Sequence, residues 1–292
     1  MPPLPRPARY FPVKPLALRM EAGLLRHGTD LGNGPADGLF FQVDDELPRY
    51  LEAKRRVPAA RHALLARDEQ ERAIHAAVDA WLRATLGREH PERLAALAEL
   101  GVDPTRAGLL EIARVVQEDL VVIRRLGDGG SAAIGVHVSS PSCWRPERIH
   151  GASFGAIHGP VPDFAKRAEA ERSMVDAMVE RGPYVRFVWT VAADDHLDHH
   201  PEESRRAPWR EDGPGFLRVE RQTTVPFPEH AAALFLIRVY LYPFASLTAE
   251  QRGVLARALE LMPADVARYK SLDAVRETIA AVLERSYFSP TT

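Results

Sequence analysis

Two long alternating runs near the C-terminus, Leu217–Val225 and Ala231–Tyr242, are joined by Pro226-Phe227-Pro228-Glu229-His230 and set the terms for the fold. Their period of two, rich in β-branched and aromatic residues, predicts a pair of antiparallel strands. On a strand, alternate side chains share a face. Arg218, Glu220 and Gln222 therefore point one way in the first run, and Arg238, Tyr240 and Tyr242 share a face in the second. Pairing as a hairpin predicts one sheet face that gathers these arginines, glutamate, glutamine and tyrosines, able to bind a polar or cationic ligand. The competing reading is a solvated sheet face laced with cross-strand ion pairs.

The rest of the chain supplies more strands and flanking helices. Residues 1–38 are rich in Pro and Gly and read as an arm lying over the body, with 39–292 as a single domain. Arg49 to Val116 has helical spacing, with Ala76, Ala80, Leu82 and Leu86 on the expected apolar stripe. The period then changes. Asp119–Leu126 and Ala132–Val138 are short strands joined by Gly127-Asp128-Gly129-Gly130, a hairpin turn without the Gly-Lys-Ser/Thr ending of a phosphate cradle. A helix over Pro162–Arg181, a strand over Tyr184–Ala192 and helices over Thr248–Leu261, Pro263–Tyr269 and Asp273–Arg285 complete an α+β arrangement. Thr248 and Gln251 have capping-box spacing.

Between the two hairpins lies Ser139–Pro162, with a short helix expected at Trp144–Ile149 and an extended segment ending in Ile157-His158-Gly159-Pro160-Val161-Pro162. Prolines at 160 and 162 restrict their neighbours, which suits an imidazole held in one orientation at His158. A lone histidine is ordinarily a core residue, and the residues alone leave both readings open. Asp194-Asp195-His196-Leu197-Asp198-His199-His200 has metal-ligand residue types but reads as an exposed loop. Ser139, Ser140 and Ser142 lack the nucleophile elbow of a hydrolase, and Cys143 reads as a packing residue.

Composition excludes several classes. A net charge of -2 argues against a nucleic-acid partner, and no apolar run is long enough to span a membrane. The Pro-rich N-terminus has no apolar core of a secretory signal, so cytoplasmic residence is expected. A single cysteine leaves no route to an internal disulfide or to an all-cysteine iron–sulfur cluster.

Five segments occur together in a recognisable order: Val116-Gln117-Glu118-Asp119-Leu120, Ser140-Pro141-Ser142-Cys143-Trp144, Ile157-His158-Gly159-Pro160-Val161-Pro162, Leu217–Thr223, and Met262-Pro263 with Tyr269-Lys270. In that order and at about that spacing the chain, over roughly Phe40 to Leu272, resembles the haem-binding alpha subunit of haem-dependent oxidative N-demethylases. The resemblance implies a PAS-like antiparallel sheet that binds haem b and activates O₂ to oxidise a small secondary amine. Electrons would come from a separate reductase carrying flavin and a 2Fe–2S cluster. It implies His158 as the iron ligand, with Glu220, Arg218 and Gln222 as the catalytic group. Glu220 would meet an ammonium substrate or the polar network around O₂. One of Arg218, Arg221 and Arg238 would pair with a haem propionate, and Trp144 and Tyr240 would also contact the cofactor. One departure stands out: Val188 precedes Trp189 where the family usually has Asn. The alternatives carried forward are a non-catalytic haem or gas-binding sensor module and a small-molecule binding protein without haem.

Overall fold

The computed structural model describes residues 7–14, 23–159, 161–162 and 168–288. In chain order these form β1 (Leu25–Arg26), α1 (Leu47–Arg55), β2 (His62–Leu64), α2 (Glu69–Glu89), α3 (Pro91–Ala95), α4 (Leu109–Ile112), β3 (Asp119–Arg125) and β4 (Ser131–His137). They continue with α5 (Phe154–His158), α6 (Ala168–Glu180), β5 (Tyr184–Ala192), β6 (Phe216–Phe227), β7 (Ala232–Pro243), α7 (Ala249–Glu260), α8 (Ala264–Tyr269) and α9 (Arg276–Phe288). The strands make one antiparallel sheet in the order β1-β5-β6-β7-β3-β4-β2, and the fold is α+β.

The sheet is packed on both faces. On one, Leu120, Val122, Leu234 and Leu236 bury against α2, whose stripe is Ile74, Val78, Leu82 and Leu86. Ala76 and Ala80 are exposed, so the stripe runs one step off the expected one. Each of the four stripe residues is fully buried, a contribution of roughly 1.5–3 kcal/mol apiece. Asp68 starts α2 by accepting the Glu71 backbone N–H at 2.7 Å. Further along the same face Leu217, Val219, Tyr240 and Tyr242 meet Leu255, Val266 and Val282 of the C-terminal helices. Tyr10 of the N-terminal arm joins this cluster, its backbone N–H donating to the Tyr242 hydroxyl at 3.2 Å. Thr248 and Gln251 form the expected capping box on α7.

The opposite face is covered less completely. Val121, Ile123, Ala233 and Phe235 pack against Phe154, Val175 and Val179 of α5 and α6, while Tyr50 and Leu197 cover Val239. Between these two patches the sheet face opens into a cavity.

Three expectations are corrected. The approach to His158 is helical, not extended: Ser153 caps α5 by accepting the Ala156 N–H at 3.0 Å, and His158 is the last residue of that helix. Residues 160 and 163–167 lie outside the described part, so the stiffening assigned to Pro160 and the start of the helix expected from Pro162 are not described. The helix expected over Trp144–Ile149 is only a single 3₁₀ turn, Pro146–Arg148. The run Asp194–His200 is not a solvated loop, since Asp194, His199 and His200 are all buried. Its backbone is tied to the serine loop, with Cys143 N–H donating to His199 O at 3.0 Å and His199 N–H to Pro141 O at 3.1 Å.

Candidate active site

Register decides which residues share the cavity. Glu220 pairs with Val188 on one side and Val239 on the other; Gln222 pairs with Arg186 and Ile237; Arg218 pairs with Thr190 and Leu241. Directly paired residues of an antiparallel sheet lie on one face. Arg238, Tyr240 and Tyr242 pair instead with Arg221, Val219 and Leu217, which point to the other face. The expected gathering of both strands' polar residues therefore does not form.

Arg218, Glu220, Gln222, His158 and Trp144 all line one cavity of about 1310 Å³. That exceeds the roughly 300–1,000 Å³ of an ordinary small-molecule pocket. Arg221, Arg238 and Tyr240 stand outside it. Arg221 donates to Thr223 Oγ1 and Leu39 O, both at 3.0 Å. Arg238 pairs with Asp44 at 3.0 Å and lies 3.8 Å above the Tyr50 ring. Tyr240 stacks on Tyr242 in the opposite core. Arg218 is inside the cavity wall but saturated, donating to Ser142 Oγ at 2.9 Å and to the carbonyls of Ser140 and Leu197 at 2.8 and 3.1 Å. No guanidinium of the three expected to hold a propionate is both in the cavity and uncommitted.

The polar end of the cavity is assembled from distant segments. Asp119 accepts the backbone N–H groups of Ser139 and Ser140 at 2.9 and 2.8 Å, which positions the serine loop. Ser142 then donates its hydroxyl hydrogen to Glu220 Oε1, while Gln222 Nε2 donates to Oε2 at 2.8 Å. Glu220 is thereby held at both oxygens. Val188 stands beside it as an apolar neighbour in the cavity wall. Cys143, expected as packing, is exposed on the cavity lining with a left-handed φ of 64°, and Arg206 donates to its sulfur at 3.5 Å.

The other end is apolar, walled by Val121, Ile123, Phe235, Phe154, Ile157 and Met174. His158 projects from the end of α5. Its Nδ1 lies 2.8 Å from the Phe154 carbonyl oxygen. A carbonyl only accepts, so Nδ1 carries the proton and Nε2 bears the lone pair. Burial lowers the His158 pKa, against the opposing hydrogen bond to Phe154, so the ring is neutral at pH 7. Gly155 lets α5 sit here: its N–H donates to Glu171 at 2.7 Å, and a Cβ would come 1.9 Å from that carboxylate.

Sequence reasoning missed several members of this site. Arg186 lines the cavity from β5; burial lowers its pKa and the Glu220 charge opposes that. Lys270 donates to the Trp189 carbonyl at 2.6 Å, and burial pulls it down to about 8 despite Glu220. His199 also lines the cavity; burial pushes its imidazole down to about 4 although Asp194 accepts from it at 3.2 Å. Arg186 was legible, because period-two reading of β5 puts it on a face with Val188 and Thr190.

Fold and site together define an α+β protein with one large sheet-face cavity, a neutral imidazole in its wall and a fixed glutamate among cations. The chain belongs to the family described as haem-dependent oxidative N-demethylase, alpha subunit-like, which matches residues 39–280. That description points to an oxidative enzyme family, implies dependence on haem and, in naming an alpha subunit, implies a partner. No curated protein matches the chain. Four of the five segments that carry the resemblance place side chains in the cavity, and the fifth supplies Asp119, which anchors the serine loop. No helix among the described residues is long and apolar enough to cross a membrane.

Proposed function

We propose that the cavity binds haem b with His158 as its protein ligand, and that the protein is a monooxygenase oxidising a small secondary amine. The observation that carries this reading is the neutral imidazole of His158, its tautomer set by the Phe154 carbonyl, in the wall of a cavity large enough for a macrocycle. Haem-ligating histidines commonly have their second ring nitrogen fixed in this way. A single imidazole also suits an iron already ringed by a porphyrin. The apolar side chains of Val121, Ile123, Phe235 and Met174 would cover the macrocycle, and Trp144 would lie against it. Arg206, an exposed arginine on the cavity lining, is assigned to a propionate in place of Arg218, Arg221 and Arg238.

Haem iron, when bound, supplies O₂ activation. Glu220, held by Ser142 and Gln222, binds the substrate ammonium and orients it. Val188 excludes water beside it. Oxidative demethylation consumes O₂, an electron pair and two protons, and yields the shortened amine, formaldehyde and water. Lys270 Nζ, with its pKa about 8, can release a proton near neutral pH. The electrons come from a partner reductase, for which flavin and a 2Fe–2S cluster are the proposed carriers. A single cysteine cannot supply four cluster thiolates. O₂ and a small amine are the proposed ligands. The many cations and the fixed glutamate favour a polar substrate over a diatomic gas alone, which sets the sensor reading second.

The test is formaldehyde release from an N-methylated amine. Turnover is expected with O₂ and an added flavin/2Fe–2S reductase, and not with NADPH and O₂ alone. Multiple turnovers without a reductase would contradict the partner requirement. A purified protein with no b-type spectrum before or after dithionite would contradict the haem reading.

A further inference from the structure

Arg186 is an unanswered charge in the cavity wall. Among the described residues it meets no carboxylate within ion-pair reach, and its buried Nε has no hydrogen-bond partner. The other cavity cations are spoken for: Arg218 by loop carbonyls, Lys270 by the Trp189 carbonyl and Arg206 by the propionate assigned to it above. A desolvated guanidinium without an acceptor is costly, and its planar fork is matched to a carboxylate.

Its nearest opposite charge in the sheet is Glu220, one step along the diagonal. Arg186 pairs with Gln222 while Val188 pairs with Glu220, so the two charged residues share a face at a backbone separation of about 7–8 Å. They do not neutralise each other directly. Both Glu220 oxygens are already oriented by Ser142 and Gln222, which hold the carboxylate without neutralising it. A fixed anion and an unanswered cation on one face, flanked by the apolar Val188 and by Gln222, form a cradle for a short zwitterion. With Arg206 given to a propionate and Arg218 and Lys270 held by backbone carbonyls, Arg186 is the cavity-lining cation that a substrate carboxylate would meet.

We infer that the substrate is a secondary amine carrying its own carboxylate, an N-methylated amino acid, with its ammonium on Glu220 and its carboxylate on Arg186. This rests on the amine-oxidising reading of the cavity. The reaction is the same demethylation, releasing the amino acid and formaldehyde; the carboxylate takes no part in bond changes. Arg186 is a specificity-determining contact.

Calorimetric titration of the purified protein with N-methylglycine and with dimethylamine tests it, in wild type, Arg186→Gln and Arg186→Lys. Wild type is expected to prefer N-methylglycine by about 10- to 100-fold, the span of one charge-assisted bidentate contact. Arg186→Gln should erase that preference by weakening N-methylglycine binding, with haem content kept and dimethylamine bound no more weakly than by wild type, and Arg186→Lys should fall between. Equal wild-type affinities, or a preference that survives Arg186→Gln, would overturn the proposal. So would loss of haem in Arg186→Gln, which would assign the side chain to the cofactor. Failure of the underlying reading shows separately, as absence of haem from wild type, and the same titrations then still decide whether Arg186 selects a carboxylate.

Discussion

Arg218 and Ser142, 76 residues apart in the chain, are joined by an Nε–H to Oγ hydrogen bond of 2.9 Å. The same hydroxyl donates onward to Glu220, so the position of the cavity carboxylate depends on a loop that Asp119 holds from the far side. Asp119 also receives the Ser139 hydroxyl at 2.6 Å and faces Lys54 at 3.3 Å, with both side chains of that ion pair almost fully buried.

Asp119→Ala is therefore expected to destabilise the fold by about 3–5 kcal/mol, because it leaves the Lys54 ammonium buried without its counter-charge. Urea unfolding measures the loss. Asp119→Ala/Lys54→Met should recover much of it, since the uncompensated charge goes too. A single variant within about 0.5 kcal/mol of wild type would show that the pair does not hold the loop.

Glu220→Gln keeps the shape of the side chain and removes its charge. The variant is expected to retain haem and to bind CO, yet to weaken amine binding by about 1.5–3 kcal/mol, the size of a charge-assisted hydrogen bond. Titrating the Soret band with a panel of small amines reads this directly. The assigned role fails if the best amine binds the variant as tightly as wild type.

His199 makes the fold sensitive to acid. Burial holds its folded pKa at about 4, below the ordinary 6.5 of an exposed ring. Between these values the unfolded chain takes up a proton that the folded chain refuses, so stability falls as pH drops from 6.5 toward about 4. Asp194 follows at lower pH. Burial alone would raise it, but hydrogen bonds from His199, Ala207 N–H and His196 N–H outweigh that and hold it at about 2. Its share is present above the ordinary 3.8 and is lost as pH falls toward 2. Other buried histidines, His137 among them, titrate in the same direction. The informative quantity is thus the difference between wild type and His199→Gln. Denaturation at a series of pH values should show a shallower slope for the variant between pH 6.5 and 4. Identical slopes would mean that His199 is not the group responsible.

Much of this arrangement was legible in the chain and some was not, for local reasons. The β6–β7 hairpin and β5 announced themselves by period-two alternation. Their register did not, because a one-residue shift across a turn exchanges the faces. That is why Arg238 and Tyr240 were expected beside Glu220 and stand instead with Arg221 and Val219. Strands β1 and β2 have two and three residues, too few for any periodicity. The five residues of α5 are likewise below what a pattern can show, and the Ser153 cap has no glutamate at the box position to reveal it. Burial of His199 comes with its backbone pairing to Pro141 and Cys143, a contact between segments more than 50 positions apart. His158, Arg218, Glu220 and Gln222 were found together because each lies in a segment with a recognisable pattern. Arg186 is not marked by the Arg-x-Glu-x-Gln run, because it meets that run only across the sheet, through its pairing with Gln222.

The proposed attachment of haem to His158 is tested by the absorption spectrum of His158→Gly with and without added imidazole. Wild type is expected to purify with b-type haem. The variant should lose most of it and recover a wild-type-like Soret band when haem and imidazole are supplied together, because free imidazole can occupy the space the side chain leaves. A variant that keeps its haem with an unchanged spectrum and no response to imidazole, with His137 or His150 on the iron instead, would contradict the account.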